Sequence, residues 1–382
     1  MRTAWLVSAV VTGLYAGGSV VLSEIARQLA GDTQRSFWAL LMRLSRNLKS
    51  TTVHIDVVLT PYLDWAGSWT RRGFDVICVD SSEIVKPYGR VMPFLCRVRD
   101  ASESRRGECR IENGWWTTEI VATRADHQVI PLRRRLWSSA EPGHQSQNRE
   151  TFDTIQDVLP FIDRRALWVF DRGFDSNRLM DWLDARGMRW LIRQRGDRHI
   201  WLPMLAEKFP TEALGAALAT PHTARPLVSR NNQLVRIELA VGACTVQRTS
   251  RGDYLTLVAV RLPRSKAPML LLSNVRVRRE ADARRLVEAY LRRWAVEDEI
   301  RAAKQLLDLE NVRLLTWTSL QRMVELSVLP TGLMALHAAE HPRSARWLAK
   351  QAPIVDPVPP YLAYRLATAV RSYLVAAVPL LC

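Results

Sequence analysis

Residues 167–174 read LWVFDRGF, four apolar residues followed at once by Asp171. Residues 76–80, VICVD, repeat this pattern and end in Asp80. A short apolar run bounded by polar residues is typical of a buried strand. Ligand and metal sites in α/β sheets gather beyond the ends of such strands. The two runs therefore predict buried strands that place both aspartates at the edge of a sheet.

The segments around these two runs predict a mixed α/β sheet. Strand-like stretches occur at residues 94–99, 116–123, 128–137 and 190–193, and helical ones at 151–160 and 177–186. Several strands followed by strand–helix alternation indicate this fold class. Residues 196–275 differ, because prolines punctuate their first half and the alternating, strand-like segments 235–241, 254–262 and 269–272 follow. We interpret 196–275 as a β-rich insertion in the α/β domain.

Both ends of the chain are predicted to be helical. A short helix at residues 23–30, capped by Ser23 and ended by Gly31-Asp32, precedes a second helix with an apolar face from Phe37 to Leu48. The opposite side of the second helix is basic and includes Arg35, Arg43 and Arg46. A basic helix after a turn suits contact with the DNA backbone, although a solvated charged face gives the same pattern. Residues after 320 are apolar and predicted to be helical as far as Pro353.

The net charge indicates a polyanionic partner. The chain has 54 Lys and Arg against 38 Asp and Glu, a formal charge of +16. Nucleic acid is the first candidate and an anionic membrane surface the second, while a basic enzyme without such a partner is the remaining alternative. The apolar stretch 4–22 imitates a secretory signal, but its glycines interrupt the run, so we favour a buried first helix over export.

Cysteine and histidine offer no metal site of their own. The five cysteines form no Cys-x-x-Cys pair, and the seven histidines lack the His-Glu-x-x-His and zinc-finger spacings. An odd number of cysteines in a long chain fits a reduced, cytoplasmic setting better than a disulfide framework. Any metal ion must therefore be held mainly by oxygen ligands.

A helix predicted from Glu280 to about Asp308 carries the second notable pattern. Tyr290, Arg293, Glu297 and Lys304 stand at offsets of 0, 3, 7 and 14. At about 100° per residue, these offsets fall within roughly 60° of one face. Alone, such a stripe can be a solvated face with a helical ion pair.

The helical stripe and the two predicted strands together supply three acidic residues. Asp80, Asp171 and Glu297 form a candidate trio of carboxylates, and hard oxygen ligands suit Mg²⁺ or Mn²⁺. Two such ions can activate an attacking oxygen and stabilise the leaving oxygen in phosphoryl transfer. The positive charge then favours nucleic-acid phosphodiesters as substrates.

These residues resemble a known family, the DDE transposases of bacterial insertion sequences. The resemblance is to the cut-and-paste group with a Tyr-(2)-Arg-(3)-Glu-(6)-Lys signature, the YREK group, and all three spacings match here. Residues 171–174, DRGF, match the block at the family's second aspartate, and residues 79–81, VDS, match the first. Residues 128–137 are similar to the paired inner strands, and the likeness covers roughly residues 70–315.

The resemblance implies a ribonuclease H-like fold and a metal-dependent reaction. It implies helical DNA-binding residues 1–70, a catalytic core at 71–195 and 276–318, the β-rich insertion at 196–275, and C-terminal helices at 319–382. Water would nick the element end, and the new 3′-hydroxyl would attack the opposite strand and close a hairpin. The hairpin would then be reopened, and the freed 3′-end would attack target DNA. The implied partners are double-stranded DNA, at the terminal inverted repeats and the target, and a second copy of the chain. The implied place of action is the cytoplasm, at the nucleoid.

Roles for single residues follow from the same resemblance. Asp80, Asp171 and Glu297 would hold two Mg²⁺ or Mn²⁺ ions. Tyr290 and Arg293 would grip a phosphate beside a flipped base, and Lys304 another phosphate. Arg172 would either contact substrate or pair with the acidic cluster.

One position departs from the family pattern. Hairpin-forming relatives carry a tryptophan before a Leu-Leu-Leu-Thr-like run, whereas Met269 precedes Leu270-Leu271-Leu272-Ser273 here. Methionine can wedge into a base stack but offers no aromatic face. Two alternatives remain open on the sequence: a catalytically silent protein bound to element ends, and a metal-dependent nuclease that cuts without joining.

Overall fold

Strand pairing organises the molecule, described here from a computed structural model for residues 2–31, 34–100, 109–230, 233–263, 265–352 and 362–377. The strands of this part are β1 Val76–Val85, β2 Cys96–Arg99, β3 Ile111–Thr123, β4 Val129–Trp137, β5 Leu167–Phe170, β6 Arg189–Arg193, β7 His199–Leu202, β8 Glu207–Pro210, β9 His222–Ala224, β10 Leu227–Arg230, β11 Gln233–Arg236, β12 Leu239–Gln247, β13 Tyr254–Arg261 and β14 Met269–Ser273. Within the described ranges, twelve of them form one mixed sheet, and β10 pairs with β11 separately.

Helices cover both faces of the sheet and lie at both ends of the chain. They are α1 Arg2–Gly17, α2 Leu22–Ala30, α3 Gln34–Lys49, α4 Asp56–Ser68, α5 Gln147–Val158, α6 Asn177–Asp184, α7 Thr211–Ala217, α8 Glu280–Arg292, α9 Trp294–Leu306, α10 Trp317–Leu326, α11 Val328–Glu340, α12 Pro342–Lys350 and α13 Ala363–Ala377. The mixed α/β class with helical ends, predicted from the sequence, is confirmed.

The sheet continues through the β-rich segment. Its order is β2-β3-β1-β5-β6-β14-β13-β12-β7-β8, with β4 beside β3 and β9 beside β12. β1, β5 and β6 run parallel, and β14 joins β6 antiparallel. The strands after residue 196 thus extend the central sheet, because β14 returns to pair with its last parallel strand.

Alternation along the central strands divides the apolar core in two. Cys78 and Val169 lie in a cluster with the apolar residues of α8, and Val79 and Phe170 lie in the larger cluster on the other face. Because side chains alternate between faces along a strand, the next residues, Asp80 and Asp171, belong to the α8 face.

The structure corrects two predicted strand boundaries. β1 does not end at Asp80 but runs on to Val85, because β3 pairs with it along its whole length while β5 stops at Phe170. The segment 235–241 is not one strand, since β11 ends at Arg236 and β12 begins at Leu239.

Two helix predictions also change. Ser23 is not the N-cap of α2, because the helix begins at Leu22 and Val21 occupies the cap position. The helix predicted over 280–308 is broken at Arg293, whose backbone N–H bonds to the carbonyl of Tyr290, three residues back, at 3.0 Å. This tighter turn separates α8 from α9 without any glycine or proline. Asp32 lies outside the described residues.

The apolar segment after Met1 forms a buried helix, as expected. Leu6, Val10 and Leu14 of α1 are fully buried in the larger core cluster. Among the described residues no single helix has the length and apolar character to cross a membrane, although α1 and α2, which meet at 90°, pass that test as a bent pair.

We expect Gly332→Ala to destabilise the fold. Gly332 on α11 lies against Tyr62 of α4, and a methyl group there would overlap the tyrosine hydroxyl, which donates to the carbonyl of Pro131. Overpacking of this kind costs about 1–3 kcal/mol and should lower the Tm in a thermal melt. Alanine usually stabilises a helix relative to glycine, so a raised Tm would contradict this close contact.

Candidate active site

The parallel pairing of β1 and β5 brings the two aspartates together. The register runs from Val76 opposite Leu167 to Val79 opposite Phe170. Asp80 and Asp171 are the next residues on the two neighbouring strands, so they share one level of the sheet. The sequence predicted this convergence from the strand ends, although only β5 stops there.

Arg293 joins the first aspartate to the glutamate. Its Nη1 donates to Asp80 Oδ2 and its Nη2 to Glu297 Oε1, each at 2.7 Å. The guanidinium is 6% exposed, the Asp80 side chain 18% and the Glu297 side chain 50%. One cation therefore lies between two of the three predicted ligands, and only Glu297 opens widely to solvent.

Burial and charge act against each other at this centre. Burial raises the pKa of Asp80 to about 6, although the Arg293 guanidinium and the Ser81 backbone N–H favour its charged form. Burial alone would lower the pKa of Arg293, but Asp80 and the neighbouring acidic groups outweigh it and raise that pKa. Arg293 thus stays charged and compensates a carboxylate that is costly to bury.

Tyr290 links the third ligand to the same cluster. Its hydroxyl donates to Asp171 Oδ1 at 3.3 Å. Burial is the main cause of its raised pKa, with Arg293 and a hydrogen bond to Arg193 opposing the shift and Asp171 adding to it. Tyr290 lies in the last turn of α8 and Arg293 in the turn between α8 and α9, and from there their side chains reach Asp171 and Asp80.

Lys304 pairs with carboxylates just beyond the cluster. Its Nζ lies 3.1 Å from Glu83 Oε1 and 3.0 Å from Glu310 Oε1. Glu83 is on β1, three residues after Asp80. Burial alone would lower the pKa of Lys304, but these two acids raise it.

The other predicted DNA contacts lie on separate elements. Arg172 is exposed beside Asp171, and among the described residues it forms no ion pair with the acidic cluster, so that alternative finds no support. Met269 begins β14 and packs, partly buried, on the same apolar cluster as Tyr290. Arg43 and Arg46 are exposed on α3, where Arg43 stacks on the ring of Trp5. The side chain of Arg35 lies outside the described residues.

The basic triplet at residues 133–135 pairs with acidic residues inside the molecule. Arg134 is fully buried, with its Nε donating to both carboxylate oxygens of Glu119 at 2.7 and 2.9 Å. Arg133 pairs with Asp157 and Glu325. Sequence reasoning missed these internal partners, as it missed Glu83, Arg193 and Glu310. The signal available for Glu83 was its place three residues after Asp80.

The donor chemistry of the site suits a divalent ion. Asp80, Asp171 and Glu297 offer hard carboxylate oxygens. Asp80 and Glu297 already converge on a cation, the guanidinium of Arg293, whose buried Nε has no hydrogen-bond partner. In the described part of the chain no three His, Cys, Asp or Glu side chains are arranged as a ready metal-binding group. The type of ligand atom thus suits a divalent ion, while Arg293 lies where the charges of Asp80 and Glu297 converge.

The family model described as Transposase DDE domain matches residues 136–329, just over half of the chain. Among solved structures, the cryo-EM structure of the piggyBac transposase synaptic complex with hairpin DNA is similar, at 10% identity over 96% of this chain and 72% of that chain, with a TM-score of 0.44. No curated protein matches the chain.

The class of protein follows from the family match: the chain is a DDE-type nuclease and transesterase, a kind of enzyme that generally depends on divalent metal ions. It belongs to the transposase DDE domain family. Asp171 and Glu297 lie within the matched residues, and Asp80 lies before them.

We expect Arg293→Met to destabilise the metal-free protein and to increase its response to Mg²⁺ or Mn²⁺. Removing one partner of a buried ion pair costs about 3–5 kcal/mol, because Asp80 stays buried without its cation. A divalent ion can restore that missing charge, so its addition should raise the Tm more in the variant than in the wild type. Thermal melts with and without the metal measure both effects.

Arg301→Met is the matched control. Arg301 lies on α9 and is 56% exposed, paired with Asp298 at 2.9 Å. An exposed pair contributes little, so this variant should keep the wild-type Tm and metal response. An equal metal response in the Arg293 variant and the wild type would contradict the role of Arg293 as the resident counter-ion.

Proposed function

We propose that this chain is a cut-and-paste DNA transposase of the YREK group, which cleaves the ends of its own insertion sequence and joins them to target DNA. The observation that carries the proposal is the contact of Tyr290 with Asp171 and of Arg293 with Asp80 and Glu297. Signature residues and acidic residues from distant parts of the chain meet in one cluster. That meeting is what the chemistry requires.

The acidic residues are assigned as the metal ligands. Asp80, Asp171 and Glu297 would hold two ions, Mg²⁺ or Mn²⁺. When bound, such ions activate the attacking oxygen and stabilise the leaving one. Burial of Asp80 beside Arg293 keeps water away from one side of the site, while half-exposed Glu297 leaves the other side open to substrate.

The basic and aromatic residues are assigned to the DNA. Once the carboxylates have another cation, the Arg293 fork is free to bind a phosphate through two parallel hydrogen bonds. Tyr290, whose hydroxyl lies beside Asp171, donates a hydrogen bond to the same phosphate. Lys304, in the last turn of α9, supplies a second positive charge. Exposed Arg172, beside Asp171, adds a phosphate contact, and Arg35, Arg43 and Arg46 are assigned to backbone contact from α3.

Further features of the reaction belong to the same proposal. Met269, on the Tyr290 cluster, would fill the space of a flipped base as a hairpin forms on the element end. Residues 1–70 would bind DNA, 71–195 and 276–318 form the catalytic core, 196–275 the insertion, and 319–382 the contact between two copies on paired ends. The place of action is the nucleoid in the cytoplasm.

We expect Asp80→Asn, Asp171→Asn and Glu297→Gln each to abolish nicking of labelled element ends in Mg²⁺. Each change removes a charged ligand oxygen but keeps the size of the side chain, so binding of the ends in a mobility-shift assay should persist. Denaturing gels measure nicks, hairpins and joined products separately. A variant that still nicks would remove its residue from the proposed site.

Asp181→Asn is the control for those three variants. Asp181 is an acidic residue of α6, 65% exposed and paired with Arg248 outside the cluster. The Asp181→Asn variant should nick element ends as the wild type does. Wild-type protein that binds ends without nicking would favour a silent end-binding protein, and nicking without joining would favour a nuclease.

We expect Lys304→Ala to weaken DNA binding and to make it less dependent on salt. A lost phosphate contact should reduce the slope of log K against log salt by about 1. Fluorescence anisotropy at several salt concentrations measures the slope. Lys350→Ala, an exposed residue of α12, should leave it unchanged. An unaltered slope in the Lys304 variant would count against its phosphate contact.

A further inference from the structure

A buried ion network lies behind the candidate active site. Arg134 on β4 is fully buried, and Glu119 on β3 and Glu299 on α9 are 3% and 1% exposed. Arg134 Nε donates to both oxygens of Glu119, and Arg134 Nη2 lies 3.5 Å from Glu299 Oε1. Thr331 donates to the same Glu299 oxygen at 2.7 Å. Two acids thus share one arginine where the sheet meets the helix.

The sheet register connects this network to the catalytic level. Glu119 is directly opposite Asp80 in the antiparallel pairing of β1 and β3. Arg134 is directly opposite Glu119 in the pairing of β3 and β4. Directly paired residues project to the same face of a sheet. Asp80, Glu119 and Arg134 therefore form one row across three strands, and Asp171, the residue after β5, follows at the same level.

Helix α9 needs a support of its own. It carries Glu297 in its first turn, and the break at Arg293 interrupts the hydrogen bonds that would fix it to α8. Glu299 follows Glu297 by two residues, which turns it about 200° around the helix. Glu297 faces the solvent-exposed side of the candidate site, while Glu299 faces the sheet. The contact of Glu299 with Arg134 holds α9 at that rotation.

We propose that Glu299 and Arg134 are positioning residues, which set the place of Glu297 relative to Asp80. The inference rests on the proposed function of the site. Apolar packing is non-directional, whereas the rigid guanidinium fork can donate hydrogen bonds to its acidic partners in only a few orientations. Arg134 also donates to Ser327, at the junction of α10 and α11, so the fork is itself held from a third direction. The network fixes the rotation and height of α9 over the row.

The test separates positioning from stability. Glu299→Leu removes one acidic partner of the buried Arg134 and should lower the Tm. The triple variant Glu119→Leu, Arg134→Met, Glu299→Leu removes the charges of all three residues together, and apolar replacement of such triads is often neutral or stabilising. Both variants should nick element ends between about tenfold and 100-fold more slowly, with an unchanged KM for DNA, because a small displacement of a catalytic group costs that much in kcat.

Arg133→Met is the matched control. Arg133 precedes Arg134 on the same strand and is 9% exposed, but its acidic partners lie on α5 and α10. It should lower the Tm and leave kcat unchanged. Wild-type kcat in the triple variant, or an equal loss in the Arg133 control, would overturn the positioning role.

Hydrogen exchange distinguishes failure of this inference from failure of the proposed function. If the wild-type protein does not nick element ends, the proposed function fails by itself. Amide exchange of residues 294–306 still reports how firmly α9 is held. If the triple variant exchanges faster than the wild type in α9, and this increase is larger than the increase in α8, the positioning role is supported. Wild-type exchange rates throughout α9 would overturn it.

Discussion

The arrangement of the active site depends on one buried guanidinium. Arg293 bonds a strand residue, Asp80, and a helix residue, Glu297, and its cost of burial is offset by those acids. It also sits in the turn that separates α8 from α9. The residue that breaks the helix therefore also ties its second half to the sheet. Such a cation also lowers the repulsion between neighbouring carboxylates, because an opposite charge favours the charged form of each acid.

A second layer of charge lies under the first. Glu119 and Arg134 extend the row of Asp171 and Asp80 across the sheet, and Glu299 brings the helix down onto it. Buried charges are expensive, so a packed apolar contact would be the simpler way to hold α9. The directional bonds of this network offer what apolar contacts lack, a defined rotation of the helix.

Local patterns in the sequence were enough to find the buried strands that carry Val79 and Phe170, because run length is a local property, but not to show that β1 continues past Asp80 to Val85. Register is a long-range property, and nothing local shows that Glu119 lies opposite Asp80. Nothing local marks Arg134 as a buried residue either, because Glu299 and Ser327, two of its partners, are far away in sequence. The break at Arg293 contains no glycine or proline, so no residue type in the sequence indicates it. The role of the three acids as metal ligands stays a prediction.

Helix α1 packs against α13, and the Arg371 side chain of α13 reaches the backbone of Tyr15. During synthesis, α1 leaves the ribosome long before α11 and α13, which help to cover it, have been made. Until then its apolar side chains, Leu6, Val10 and Leu14 among them, lack part of the surface that buries them. Chains that end before α11 and α13 would therefore expose apolar surface, which favours aggregation.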